Sequence, residues 1–73
     1  MIIFTPHSEE KLHQRKLKRL QVIEVLRQPD KTVKSYGDRI IALKKLGKLY
    51  LKVIYKREGK NIIVITQHWV EKI

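Results

Sequence analysis

The stretch LYLKVIYKREGKNIIVITQHW, residues 49–69, decides the fold class of this chain. It contains two runs rich in β-branched and aromatic residues, and the polar segment REGK between them is typical of a turn. In the first run, alternation with period two predicts a strand with one apolar face, formed by Leu49, Leu51, Val53 and Tyr55. In the second run the same alternation predicts one face formed by Ile62, Val64, Thr66 and His68. Because the second run is apolar on both faces, we expect it to lie centrally in a sheet.

The remaining sequence extends this hairpin in both directions. Upstream, KTVKSY and RIIALKKL read as strands, and turn signals at about ten-residue spacing predict an antiparallel meander of three or four strands. At the start, MIIF predicts a strand, and Thr5 with Pro6 predicts the N-cap of a helix that reaches about Leu17. LQVIEVLRQPD predicts a second helix that Pro29 ends. We therefore predict one α+β domain over residues 1–73, with an N-terminal strand and two helices packed on one face of an antiparallel meander sheet.

Charge and composition narrow the classes of function. The chain has 73 residues, with 17 Lys and Arg against 7 Asp and Glu, which gives a net charge of +10. A field of this sign attracts polyanions and favours nucleic acid or an acidic protein as partner, although a lysine-rich surface also serves solubility. The absence of cysteine excludes disulfides and thiolate metal sites. The start turns polar after Phe4, so we expect no membrane span and a cytoplasmic protein.

One edge of the first predicted helix carries His7, Lys11 and Arg15, which recur at positions i, i+4 and i+8. At the positive end of the helix His7 is expected to be neutral and able to act as a base. Lys11 and Arg15 have the chemistry to hold phosphate oxygens. The alternative interpretation is an ordinary solvated helix edge.

The segments HSEEKLHQR, LKRLQVIEVLRQP and VIYKREGKNIIVITQHW together resemble a small domain family of uncharacterised bacterial and archaeal proteins. That family is similar to the RelE, ParE and BrnT toxins, within the barnase–EndoU–colicin–RelE group of metal-independent ribonuclease folds. In its pattern His-Ala-x-x-Arg-Met-x-x-Arg, the matching residues are His7, Leu12 and Arg15. Lys11 replaces the first Arg, and Ser8 replaces the Ala. The lysine lacks the bidentate geometry of arginine.

The resemblance implies a RelE-like endoribonuclease toxin that cleaves RNA, including mRNA, by attack of the 2′-OH and needs no cofactor. It makes His7 the candidate general acid or base and Arg15 a phosphate ligand. Thr66 becomes a hydrogen-bond donor to phosphate and His68 a second catalytic candidate, although threonine also suits a strand for structural reasons. An acidic antitoxin protein is the implied partner.

A basic group on the predicted sheet is the candidate surface for the RNA backbone, with Tyr50 placed to stack on a base. Its members are Lys44, Lys45, Lys52 and Lys56. Lysines on strands also protect sheet edges from aggregation, so a structural interpretation stands beside this one. Three histidines without clustered acids predict no metal site. The second hypothesis is a non-catalytic basic module that binds nucleic acid or an acidic protein.

Overall fold

The computed structural model of the protein describes residues 1–71, which form two helices and five strands. In chain order the elements are β1 (Ile2–Phe4), α1 (Pro6–Gln14), α2 (Arg19–Arg27), β2 (Lys31–Lys34), β3 (Arg39–Leu46), β4 (Leu49–Glu58) and β5 (Asn61–Val70). The predicted α+β class and N-terminal strand are confirmed. No helix in the described part of the chain is long and apolar enough to cross a membrane.

The strands form one sheet in the order β1-β5-β4-β3-β2. Strands β2 to β5 pair antiparallel in succession, which confirms the predicted meander for these four strands. Strand β1 lies parallel to β5, with Ile3 beside Ile63, so the sheet is mixed and not purely antiparallel as expected. The composition of a three-residue strand does not predict whether it pairs parallel or antiparallel. The direction of β1 depends on how β5, at the other end of the chain, is placed in the folded sheet.

Helix α1 begins as predicted, with Thr5 as its N-cap and Pro6 in its first turn. It ends at Gln14 and does not reach Leu17. The cause is local, because Lys16 has a φ of 54°, which no right-handed helix accommodates.

Helix α2 begins after Lys18, whose backbone N–H donates to the side-chain Oε1 of Gln21 at 2.9 Å. It ends at Arg27, earlier than the predicted segment, because Gln28 precedes Pro29. A residue before proline is disfavoured in the helical region, and Gln28 has φ −139° and ψ 67°.

A bulge divides strand β5. Ile54 of β4 pairs with Thr66, but the next residue, Tyr55, pairs with Val64, so Ile65 is the extra residue on β5. One extra residue reverses the alternation of side chains beyond it. The prediction that Thr66 and His68 share a face with Ile62 and Val64 is therefore wrong.

The core lies on one face of the sheet, called the helix-side face below. The helical segment contributes Leu12, Leu17, Val22 and Val25, and the strands contribute Ala42, Leu51, Val53, Tyr55 and Val64. Trp69 packs partly buried against this cluster. The predicted alternation of β4 is confirmed, because 51, 53 and 55 are buried whereas 50, 52, 54 and 56 are half-buried on the other side. That other side is called the open face.

Candidate functional site at the edge of strand β5

Helix α1 is attached to β5 where β1 ends. The backbone N–H of Thr5 donates to the carbonyl of Val64 at 3.1 Å, and the Thr5 hydroxyl donates to the carbonyl of Ile65 at 3.2 Å. The same hydroxyl oxygen accepts from the backbone N–H of Ser8 at 3.1 Å. Thr5 therefore caps the helix and also binds the carbonyls at the bulge, so that α1 begins at the β5 edge.

Ser8 and Gln67 form a fully buried polar pair between α1 and β5. The Ser8 hydroxyl donates to Oε1 of Gln67 at 2.6 Å, and Nε2 of Gln67 donates to the Ser8 carbonyl at 3.0 Å. Sequence reasoning missed both residues. A signal existed for Ser8, which stands four positions before Leu12 on the buried side of α1. Gln67 gave none, because its inward orientation depends on the bulge.

Arg15, the C-cap of α1, binds the outer edge of the same strand. Its Nη1 donates to the carbonyl of Gln67 at 2.6 Å, in a partly buried position. The guanidinium thus donates to a carbonyl of β5 that the backbone N–H of a neighbouring strand would otherwise bind. Arginine carries five N–H donors, so a single bond to the carbonyl leaves others for a ligand at this edge.

His68 lies on the open face, where it pairs in register with Lys52 of β4. Partial burial lowers the pKa of His68 below its ordinary value of 6.5, and the positive charges of Lys52 and then Arg15 lower it further. At neutral pH the imidazole is therefore neutral and able to accept a proton. The structure brings together two cations and one neutral base, and these three residues, Arg15, Lys52 and His68, are called the β5-edge site.

The other residues predicted on α1 lie apart from these contacts. His7 is exposed in the first turn of α1. Lys11 is half-buried, and its Nζ donates to Oε1 of Gln14 at 3.1 Å. The predicted edge is thus divided, since Arg15 turns to the strand while Lys11 contacts its own helix. Thr66 is half-buried on the open face, two residues before His68.

The basic residues of the sheet do not share one surface. Lys44 pairs with Leu51, which places it on the helix-side face. There its Nζ donates to the carbonyl of Gln28 at 2.9 Å and lies 4.0 Å from Oδ1 of Asp30. Lys44 therefore binds the end of α2 and is separated from the open face by the sheet.

On the open face, Lys45 is exposed and pairs with the half-buried Tyr50. Lys56 lies toward the other end of β4, where its Nζ is 3.1 Å from Oε2 of Glu58. Two of the predicted phosphate ligands, Lys45 and Lys52, thus lie on the same face as His68, while the charge of Lys56 is partly balanced by a carboxylate.

These features define a small α+β domain with a covered and an open sheet face, and with an arginine, a lysine and a histidine at the edge of its longest hairpin. A family model described as a domain of unknown function, DUF4258, matches residues 4–68. The chain belongs to this family. Comparison with curated proteins and with solved structures gave no significant match.

Proposed function

We propose that this protein binds single-stranded RNA and cleaves it without a metal ion at the β5-edge site. The observation that carries the proposal is the convergence of Arg15 and Lys52 on His68, whose pKa is lowered by partial burial and then by the charges of Lys52 and Arg15. A phosphodiester requires cations to balance its charge, and its cleavage requires a base that is unprotonated at the working pH. The net charge of +10 supports the same substrate class.

The proposed reaction uses the nucleophile that RNA itself provides. His68 accepts the proton of the 2′-OH, the 2′ oxygen attacks phosphorus, and the bond from phosphorus to the 5′ oxygen breaks. The 5′ oxygen leaves with a proton from water, which gives a 2′,3′-cyclic phosphate and a 5′-OH. Arg15 and Lys52 stabilise the charge that develops on the non-bridging oxygens. In this mechanism the general base is His68, and water takes the part of the general acid that the resemblance assigns to His7.

The resemblance to the RelE-like toxins supports the same reaction class. In the proposal this chain is the toxin of a toxin–antitoxin pair, acts in the cytoplasm, and has a small acidic protein as its antitoxin. Thr66, on the same face as His68, is assigned as a hydrogen-bond donor to the phosphate.

The test is incubation of the purified protein with a single-stranded RNA oligonucleotide, with and without EDTA. We expect cleavage in both conditions, 2′,3′-cyclic phosphate ends, and a rate at least tenfold lower for the His68→Gln variant. His13→Gln is the matched control, because His13 is an exposed histidine of α1. His7→Ala tests the general-acid assignment separately.

Two results would contradict the proposal. Cleavage that EDTA abolishes would exclude the metal-independent mechanism. Salt-dependent RNA binding without any cleavage would support the non-catalytic basic module in its place.

A further inference from the structure

Leu43 is buried although it lies on the open face. It is 7% exposed, and it does not belong to the core cluster between the helices and the sheet. Its register with Lys31 of β2 and Lys52 of β4 places it on the side opposite that cluster. Among residues 1–71 no other residue of the open face is buried. The burial of this one leucine therefore depends on the side chains beside it on the same face.

Three of the four nearest neighbours of Leu43 on this face are lysines. Lys31 and Lys52 lie beside it on the adjacent strands, and Ile41 and Lys45 lie two residues away along β3. Lysine stems cover apolar surface while their ammonium groups stay in water. The low exposure of Leu43 indicates that such stems lie against it, which holds three ammonium groups around one point. Lys31, Lys45 and Lys52 are called the lysine triangle.

The charge of the lysine triangle is not balanced within the described part of the chain. None of its ammonium groups forms an ion pair among residues 1–71. The Asp30 carboxylate, beside Lys31 in sequence, accepts from the backbone N–H of Lys45 at 2.8 Å and lies 4.0 Å from Nζ of Lys44. Protection of a sheet edge explains a lysine on β2 but not lysines on the interior strands β3 and β4. Three unbalanced cations around one point form a site for an anion.

The lysine triangle is one phosphate away from the β5-edge site. The proposed scissile phosphate lies between Lys52 on β4 and His68 on β5, whereas the triangle is centred over Leu43 on β3. These two points are one and a half strand spacings apart, which is about 7 Å. Adjacent phosphates of an extended RNA strand are separated by more than one and less than two strand spacings. One RNA strand that crosses β5, β4 and β3 can therefore place consecutive phosphates at both points.

The mechanism fixes the direction of that strand. His68 takes the proton of the 2′-OH, so the nucleotide that carries this hydroxyl lies toward β5. The attacking and leaving oxygens stand on opposite sides of phosphorus, so the leaving nucleotide lies toward β4 and β3. We propose that the lysine triangle binds the phosphate that follows the scissile phosphate on its 3′ side. This inference rests on the proposed function and adds Lys31 and Lys45 as substrate-binding residues.

The proposal defines the substrate class more narrowly than single-stranded RNA. The preferred substrate carries a phosphate on the 3′ side of the leaving nucleotide, as every linkage inside a chain does. The last linkage before a free 3′-OH lacks this phosphate and is cleaved slowly. The protein is therefore expected to cut within RNA chains and not from their 3′ ends.

Three dinucleotides test the direction and the position of the second phosphate. Each is uridine followed by deoxyadenosine, so that one linkage alone has the 2′-OH needed for cleavage. The first has no terminal phosphate, the second has a 3′-phosphate, and the third has a 5′-phosphate as the charge-matched control. We expect kcat/KM of the 3′-phosphorylated dinucleotide to exceed that of both others about fivefold. Equal rates, or the highest rate for the 5′-phosphorylated dinucleotide, would overturn the proposal.

Variants on one strand assign the effect to the lysine triangle. Lys31→Ala is expected to remove the preference for the 3′-phosphate and to leave the rate on the unphosphorylated dinucleotide unchanged. Lys34→Ala is the matched control, because Lys34 is an exposed lysine of the same strand whose register with Ile40 places it on the helix-side face. Lys45→Ala repeats the test on β3, where the side chain is exposed. A preference that persists in both Lys31→Ala and Lys45→Ala contradicts the assignment.

A binding experiment separates this inference from the proposed function. A short oligothymidylate has no 2′-OH and cannot be cleaved, and fluorescence anisotropy measures its affinity for the parent and the variants. If no ribonucleotide is cleaved but Lys31→Ala weakens this binding and Lys34→Ala does not, the proposed cleavage fails and the phosphate site stands. If RNA is cleaved without any preference for the 3′-phosphate, the proposed function stands and the lysine triangle fails. Absence of both cleavage and binding overturns both proposals.

Discussion

The side-chain amide of Gln67 forms two hydrogen bonds with Ser8 at the buried contact of α1 with β5: it accepts from the Ser8 hydroxyl and donates to the Ser8 backbone carbonyl. Both residues are fully buried, so each bond satisfies a polar group that water cannot reach. The contact sets the position of α1 along β5. It thereby sets the position of Arg15, which binds the carbonyl of the same glutamine. Ser8 and Gln67 take no part in the proposed reaction, but their contact positions Arg15 and thereby supports the geometry of the β5-edge site.

Ser8→Ala is expected to destabilise the protein by about 1–3 kcal/mol, because it leaves Oε1 of Gln67 buried without a donor. Urea denaturation measures the change in the free energy of unfolding. The double variant Ser8→Ala with Gln67→Met is expected to recover part of the loss, since it replaces the unpaired amide by an apolar side chain of similar length. Gln14→Ala, at an exposed position of α1, is the control.

His68 makes the stability of the protein depend on pH. Its pKa is lower in the folded state than the ordinary value of 6.5, because of burial and the charges of Lys52 and Arg15. As the pH falls below about 6.5, the unfolded chain binds a proton that the folded chain does not, so stability decreases until the folded-state pKa is passed. We expect the melting temperature to fall less between pH 7.5 and pH 5 in His68→Gln than in the parent.

The same comparison with His13→Gln isolates the effect, because loss of any histidine removes one titrating group from the unfolded chain. A pH dependence that is identical in the parent and in His68→Gln would show that the environment of His68 does not oppose its protonation.

Arg15 has a structural and a proposed catalytic role, and two variants separate them. Arg15→Ala loses the bond to the Gln67 carbonyl and is expected to cost about 1 kcal/mol of stability. Arg15→Lys keeps the charge but not the planar fork, so RNA cleavage is expected to fall at least tenfold with little loss of stability. Cleavage rates and urea denaturation of both variants check this. Parent-like cleavage by Arg15→Lys would leave Arg15 with the structural role alone.

Lys44 and Lys52 form a matched pair for the salt dependence of RNA binding. Both are lysines on neighbouring strands, but Lys52 lies on the open face and Lys44 donates to the carbonyl of Gln28 on the helix-side face. Lys52→Ala is expected to reduce the slope of log affinity against log salt by about one, whereas Lys44→Ala leaves the slope unchanged. Equal slopes for the two variants would place the RNA elsewhere on the surface.

Local sequence determined the features that depend on neighbouring residues. Thr5 and Pro6 predicted the start of α1, because capping involves groups within one helical turn. The strict alternation of β4 predicted which of its faces is buried, and turn residues predicted the antiparallel order of β2 to β5. These signals need no information from distant parts of the chain.

The tertiary structure alone decided which of the predicted residues meet. The bulge at Ile65 places Thr66 and His68 on the open face and turns Gln67 inward, and nothing in the local pattern of β5 marks the extra residue. Two further contacts depend on how distant parts of the chain assemble into the sheet. They are the pairing of β1 with β5 and the bond of Arg15 to a carbonyl 52 residues away. The sequence by itself therefore determined the order of the elements and the buried face of the regular strand β4, because those follow from period and composition. The β5-edge site needed the long-range register, because a shift of one residue moves a side chain to the other face of the sheet.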